Sequence, residues 1–146
     1  MYKYQFVKTS ATLANTDSGN PASHIVIPVS VYHEGMINNI TLSRDATVDF
    51  DFYIFQSLVV PASDLNVEQL GSFTVTPDKA VYCIYKDSVN SDLYVRSGTF
   101  PIHYKNIVEG KNNDYFPEQK LYLVFYKSTA VAVTISAGIL ISYVAR

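Results

Sequence analysis

The sequence predicts an all-β chain: an antiparallel β-sandwich, jelly-roll-like, of about nine or ten strands with at most one short helix. Three observations carry that expectation. Val48 to Gln56 reads VDFDFYIFQ, with Val48, Phe50, Phe52 and Ile54 pointing one way and Asp49 and Asp51 the other. A period of two is what a half-buried strand requires, because successive side chains leave opposite faces of the pleat. The alternation recurs at roughly 10-residue spacing with turn formers between, the pattern of a sandwich. No stretch carries helical apolar spacing long enough for the crossover that parallel strands need.

The elements follow in order. Tyr2 to Leu13 forms the first strand, with Tyr4 and Phe6 alternating against Lys3, Gln5 and Val7. Ala14 to Pro21, ANTDSGNP, is dense in turn formers and reads as an exposed loop. Ser23 to Tyr32 is the second strand, and Pro28 places it at a sheet edge or beside a bulge because proline cannot donate to a ladder. A turn from His33 leads to a third strand, Ile37 to Ser43, and Arg44-Asp45-Ala46 turns into a fourth, Thr47 to Val59. Pro61 to Gly71 is the one candidate helix, capped by Ser63 or Asp64. Ser72 to Val75 and Ala80 to Tyr85 are the next strands, followed by Asp92 to Ser97 and Phe100 to Tyr104, read as a pair joined at Ser97-Gly98-Thr99. Lys120 to Tyr126 is a strong strand. The tail from Thr129 closes the domain as two strands, or as one bent at Ala137-Gly138.

At 146 residues, the chain is expected to form a single β-sandwich domain, 1–146, with a sizeable core. Charged residues make up only 16% of it, against the ~25% usual for soluble domains, so surface is either hidden against partners or made from Ser, Thr, Asn and Tyr. A net charge of −2, with cations scattered, gives no footprint for nucleic acid. The opening MYKYQFVKT lacks the continuous apolar core of a secretory signal. The apolar tail TAVAVTISAGILISYVA interleaves Ser and Thr with β-branched residues, which favours strands over a membrane helix. No membrane or nucleic-acid partner is expected.

The residues that carry common chemistries are dispersed. His24, His33 and His103 have no ligand spacing, and His33-Glu34 reads as a solvated pair in a turn. Asp45, Asp49 and Asp51 lack a Gly-rich loop to wrap a cation, and two carboxylates at i and i+2 on one strand point in parallel rather than flanking a substrate. Cys83 sits between apolar neighbours as a small hydrophobe. No nucleophile elbow or phosphate loop occurs. The expectation is a protein that is not an enzyme and uses no cofactor or metal.

Several strands are apolar on both faces. In KLYLVFYK, Leu121, Leu123 and Phe125 form one side while Tyr122, Val124 and Tyr126 form the other; Tyr53 and Phe55 share the second row of the fourth strand. A sandwich sheet ordinarily wets one face, so these strands need cover twice. Twelve Tyr and no Trp fit subunit contact, where an amphipathic ring suits a surface buried only on assembly. Tyr53, Phe55, Tyr122 and Tyr126 are the candidate interface, with the loop Asn15 to Asn20 as a second docking element.

The tail LYLVFYKSTAVAVTISAGILISYVA, Leu121 to Ala145, and the segment DFDFYIFQSLVVPASDLN, Asp49 to Asn66, resemble structural proteins of bacteriophage and other virus particles. The resemblance covers roughly the second half of the chain. It implies a β-sandwich of the capsid decoration or cement type, located in the virion, assembling with itself as a trimer or larger ring and binding other capsid proteins without catalysis. The alternative expectation, from a different class, is a carbohydrate- or ligand-binding β-sandwich module using exposed rings as sugar platforms. A major capsid jelly roll is disfavoured by the short chain and the lack of a basic arm.

Overall fold

The computed structural model describes residues 2–57, 81–89, 94–97, 100–105 and 118–144, and among these the chain is strand, turn and bend with no helix. The strands are β1 (Tyr2–Leu13), β2 (Ser23–Tyr32), β3 (Gly35–Arg44), β4 (Phe50–Ser57), β5 (Val81–Val89), β6 (Tyr94–Ser97), β7 (Ile102–Tyr104), β8 (Glu118–Lys127) and β9 (Val133–Val144). The expected helix Pro61–Gly71 and the strand Ser72–Val75 lie outside the described residues.

All strand pairs are antiparallel, in two sheets ordered β1-β9-β3-β6 and β2-β8-β4-β5. β6 pairs with Ile40–Ser43 and β7 with Gly35–Ile37, both opposite the edge of β3 that β9 occupies. They are therefore two pieces of one lane, not the hairpin expected at Ser97-Gly98-Thr99, and the architecture has four lanes in each sheet. The pairing is nested: β1 with β9, β2 with β8, β3 with the β6–β7 lane, and β4 with β5.

The core lies between the sheets. β3 and β9 contribute Ile37, Ile40, Leu42, Val133, Ile135, Ile139 and Ile141; β4 and β8 contribute Phe50, Phe52, Ile54, Leu121, Leu123 and Phe125. Each such side chain removed from water is worth ~1.5–3 kcal/mol. Phe52 packs its ring 5.1 Å from Phe125 and 6.0 Å from Tyr85, so these rings join the two central strands of the second sheet to its β5 edge.

Two bulges set which residues reach that core. Between Ile37 and Asn39 the β3–β9 register shifts, leaving Asn38 as the extra residue. An inserted residue resets the two-residue alternation, which is why Ile37 and Ile40, three apart, are both fully buried. The second bulge falls opposite Ile54–Phe55, with Ile84 unmatched in β5. It sends Cys83 and Tyr85 to opposite faces, where plain alternation puts them together.

The tail does not break at Gly138. β9 runs through it as one strand, with Gly138 in register against both Lys8 and Thr41. Among the described residues no helix is long and apolar enough to cross a membrane. The loop Ala14 to Pro21 is largely exposed, as expected, and its backbone is tied as a turn. Asn20 N donates to Asp17 O and Gly19 N to Asp17 Oδ1, while Thr16 N bonds Ala130 O at 2.9 Å. Beneath it Lys127 is fully buried, its Nζ donating to Thr129 O (2.7 Å) and Thr16 Oγ1 (3.3 Å).

Candidate functional site

The four aromatics singled out from the sequence do come together. Register places Phe55 opposite Tyr122, Tyr53 opposite Val124 and Asp51 opposite Tyr126, so Tyr53, Phe55, Tyr122 and Tyr126 share the outward face of β4 and β8. They are not open surface, however. Tyr53, Phe55 and Tyr122 are 1%, 0% and 4% exposed within one chain and form a second apolar cluster with Val124. Only Tyr126 is half-buried. Within one chain, three of the four therefore behave as core residues.

The electrostatics agree. Burial, and then the Asp51 carboxylate, push the Tyr53 hydroxyl well above the usual tyrosine range. Burial also raises Tyr122. Lys86 holds its ammonium 5.7 Å from the Tyr53 ring centroid, within reach of a cation–π contact. Burial likewise pushes the Cys83 thiol up despite Lys86, and its Sγ donates to Tyr85 O at 3.2 Å, so it is held as a neutral thiol.

Aromatic surface is open elsewhere, on β1. Tyr2, Tyr4 and Phe6 are 62%, 68% and 63% exposed in one row on the outer face of the first sheet. Their cross-strand partners in β9 are Val144, Ser142 and Leu140. From Leu140 toward Thr134 the outward residues of β9 are small, Gly138 and Ser136, so the sheet has a low centre between the β1 rings and β3. Two shallow hollows follow that line. One, about 260 Å³, lies among Tyr2, Tyr4, Met36, Asn38, Leu140 and Ser142. The other, about 290 Å³, lies among Phe6, Lys8, Thr41, Ser43, Ser136 and Gly138. Asn38, turned out by its bulge, donates to Ser142 Oγ at 2.7 Å across the first. The row Tyr2-Tyr4-Phe6 is visible in the sequence as alternation. Nothing local distinguishes it from the inner-sheet tyrosines, since the difference is which strand has cover.

The dispersed carboxylates each have separate work. Asp45 Oδ1 accepts from Thr134 N, Asp51 Oδ1 accepts from Ser88 Oγ at 2.7 Å, and Asp49 pairs with Arg44 at 3.5 Å. No group of three His, Cys, Asp or Glu converges among the described residues. His33 is buried, not solvated as its turn position suggested, with its ring tilted against Tyr32 at 4.5 Å. No protein-family model matches the chain, and no curated protein matches it.

Proposed function

We propose that this chain is a non-enzymatic structural subunit of a virus particle, a jelly-roll domain that decorates or cements a capsid by contacting copies of itself and other capsid proteins. The observation that carries the reading is the nested strand order. Four lanes per sheet, with first paired to last and each following pair inside it, support a jelly-roll winding, an architecture of viral capsid and lectin domains.

The β1 row supports self-association. Three rings about two-thirds exposed present roughly 300–500 Å² of aromatic surface, at the upper end for one patch on a monomer. Two copies meeting on these rings alone cover roughly 600–1,000 Å² between them, so neighbouring surface of the sheet must join the contact to clear the ~1,000 Å² of a specific interface. β1 is the edge of its sheet and 12 residues long, with no proline to blunt it. The second copy is therefore the occupant of this face, and symmetry multiplies a modest contact into a stable ring or trimer.

Mass spectrometry and immunogold labelling of particles purified from the chain's natural source test the assignment. A symmetric copy number on the outer shell is expected, and particles that lack the chain overturn it.

A further inference from the structure

We propose that the cleft at one end of the sandwich is a carbohydrate site that takes a single pyranose ring or the terminal ring of a glycan. The cleft holds about 330 Å³, at the lower end of the ~300–1,000 Å³ typical of small-molecule sites. It is built where the end of β2, the His33-Glu34 turn, the start of β3, the end of β7 and the end of β9 meet.

Its walls combine rings with groups of both charges. Tyr32 stacks on Tyr143, centroids 4.4 Å apart and planes 24° from parallel, and His33 leans on Tyr32, giving a fixed three-ring wall. Glu34, His103 and Lys105 complete the lining. Rings select a ligand with an apolar face: the C–H side of a pyranose is slightly positive and meets the negative face of an aromatic ring. Glu34 and Lys105 bring one formal charge of each sign to the lining, which suits a ligand without net charge. A neutral polyol, with donors and acceptors around an apolar face, fits both facts.

An independent observation points to a polar ligand. Tyr104 is buried beneath the cleft, and its hydroxyl has no hydrogen-bond partner among the described residues. It sits over Gly35, where a Cβ would stand 2.9 Å from Oη and 2.8 Å from Ser142 O, so only glycine leaves the hydroxyl its position in the floor. Buried polar groups are nearly always partnered; the Tyr104 hydroxyl, with less than 1 Å² open to water, gains a partner when a sugar hydroxyl displaces the wall above it. The inference does not rest on the assembly reading, since every residue of the cleft belongs to one chain.

The test is an amide-shift titration of the isotope-labelled chain with the methyl glycosides of glucose, galactose and N-acetylglucosamine, and separately with choline. At least one glycoside is expected to bind at millimolar concentration and move the amides of Glu34, Gly35, Tyr104, Lys105 and Tyr143. Tyr104→Phe should weaken that binding about tenfold, the effect of one lost hydrogen bond. Lys105→Ala, at an exposed position, should weaken it several-fold and serves if the first variant fails to fold. The proposal is overturned if no glycoside moves these amides, if only choline does, if the shifts fall on the outer sheet face instead, or if neither variant changes the affinity.

Discussion

Gln5 and Tyr32 are joined across the open side of the sandwich by a side chain acting as a strand. The Gln5 amide reaches from β1 to β2, where its Oε1 accepts from Tyr32 N at 3.3 Å and its Nε2 donates to Ser30 O at 3.0 Å. Both β1 and β2 are sheet edges. One carboxamide therefore satisfies the two edge groups that one residue of a further strand would take. Gln5→Ala should cost about 1–2 kcal/mol, since it removes two hydrogen bonds at a half-buried site. Chemical denaturation measures the loss, and hydrogen exchange should report faster exchange at the Tyr32 amide.

Two glycines face the same steric test with opposite outcomes. A Cβ at Gly138 would stand 2.8 Å from Phe6 Cζ, but Phe6 is exposed and its ring can swing outward. A Cβ at Gly35 meets the Ser142 backbone oxygen and the buried Tyr104 ring, neither of which has room to yield. Gly138→Ala should change stability by under ~0.5 kcal/mol, the strand preference for alanine offsetting the ring's displacement. Gly35→Ala should lose about 1–3 kcal/mol through overpacking. Thermal melts of the two variants make the comparison.

Arg44 ends the inward row Ile40-Leu42-Arg44, with its guanidinium buried. Nη1 donates to Val48 O at 2.6 Å, while Nε and Nη2 have no hydrogen-bond partner among the described residues. Its counter-charge Asp49 is 65% exposed and 3.5 Å away. A charge so partnered gains little from burial, and an apolar replacement of similar length should be neutral or stabilising. Arg44→Met is expected to keep or raise the melting temperature. Asp49→Asn should cost under ~1 kcal/mol because water screens that pair.

Burial holds the hydroxyls of Tyr53, Tyr104 and Tyr122 above the ordinary tyrosine value. In the unfolded chain these groups ionise near pH ~10, while in the fold they keep their protons. Above that pH the unfolded state binds fewer protons than the native state, so stability falls as pH rises; below it the contribution is complete and flat. Denaturation midpoints should be constant with respect to these tyrosines from neutrality to about pH 9 and then decline. Tyr53→Phe and Tyr104→Phe should each make the decline shallower.

Much of this architecture is legible in the residues, and the illegible part has definite causes. Alternation located β1 and β2 at their observed bounds and assigned both faces of β4 and β8 correctly. Alternation does not carry across Asn38 and Ile84, because a bulge adds one residue to a ladder without any change in hydrophobicity. It also paired Asp92–Ser97 with Phe100–Tyr104, since a turn between two short strands reads the same whether they pair or share one lane. Alternation gathers Tyr53, Phe55, Tyr122 and Tyr126 onto one face, where the register places them. Their cover is a tertiary property, and the same pattern on β1 leaves Tyr2, Tyr4 and Phe6 in water. The end cleft is not legible in the sequence because its lining comes from separate ends of β1, β2, β3, β7 and β9, and the turn position of His33 gives no sign of its burial.

The central claim is that the outer face of β1 meets a second copy, and light scattering across micromolar concentrations tests it most directly. The account expects the native chain to associate into a discrete oligomer. A variant carrying Tyr2→Ser, Tyr4→Ser and Phe6→Ser should remain folded and monomeric. A native chain that stays monomeric throughout the range, or a triple variant that associates equally well, would contradict it.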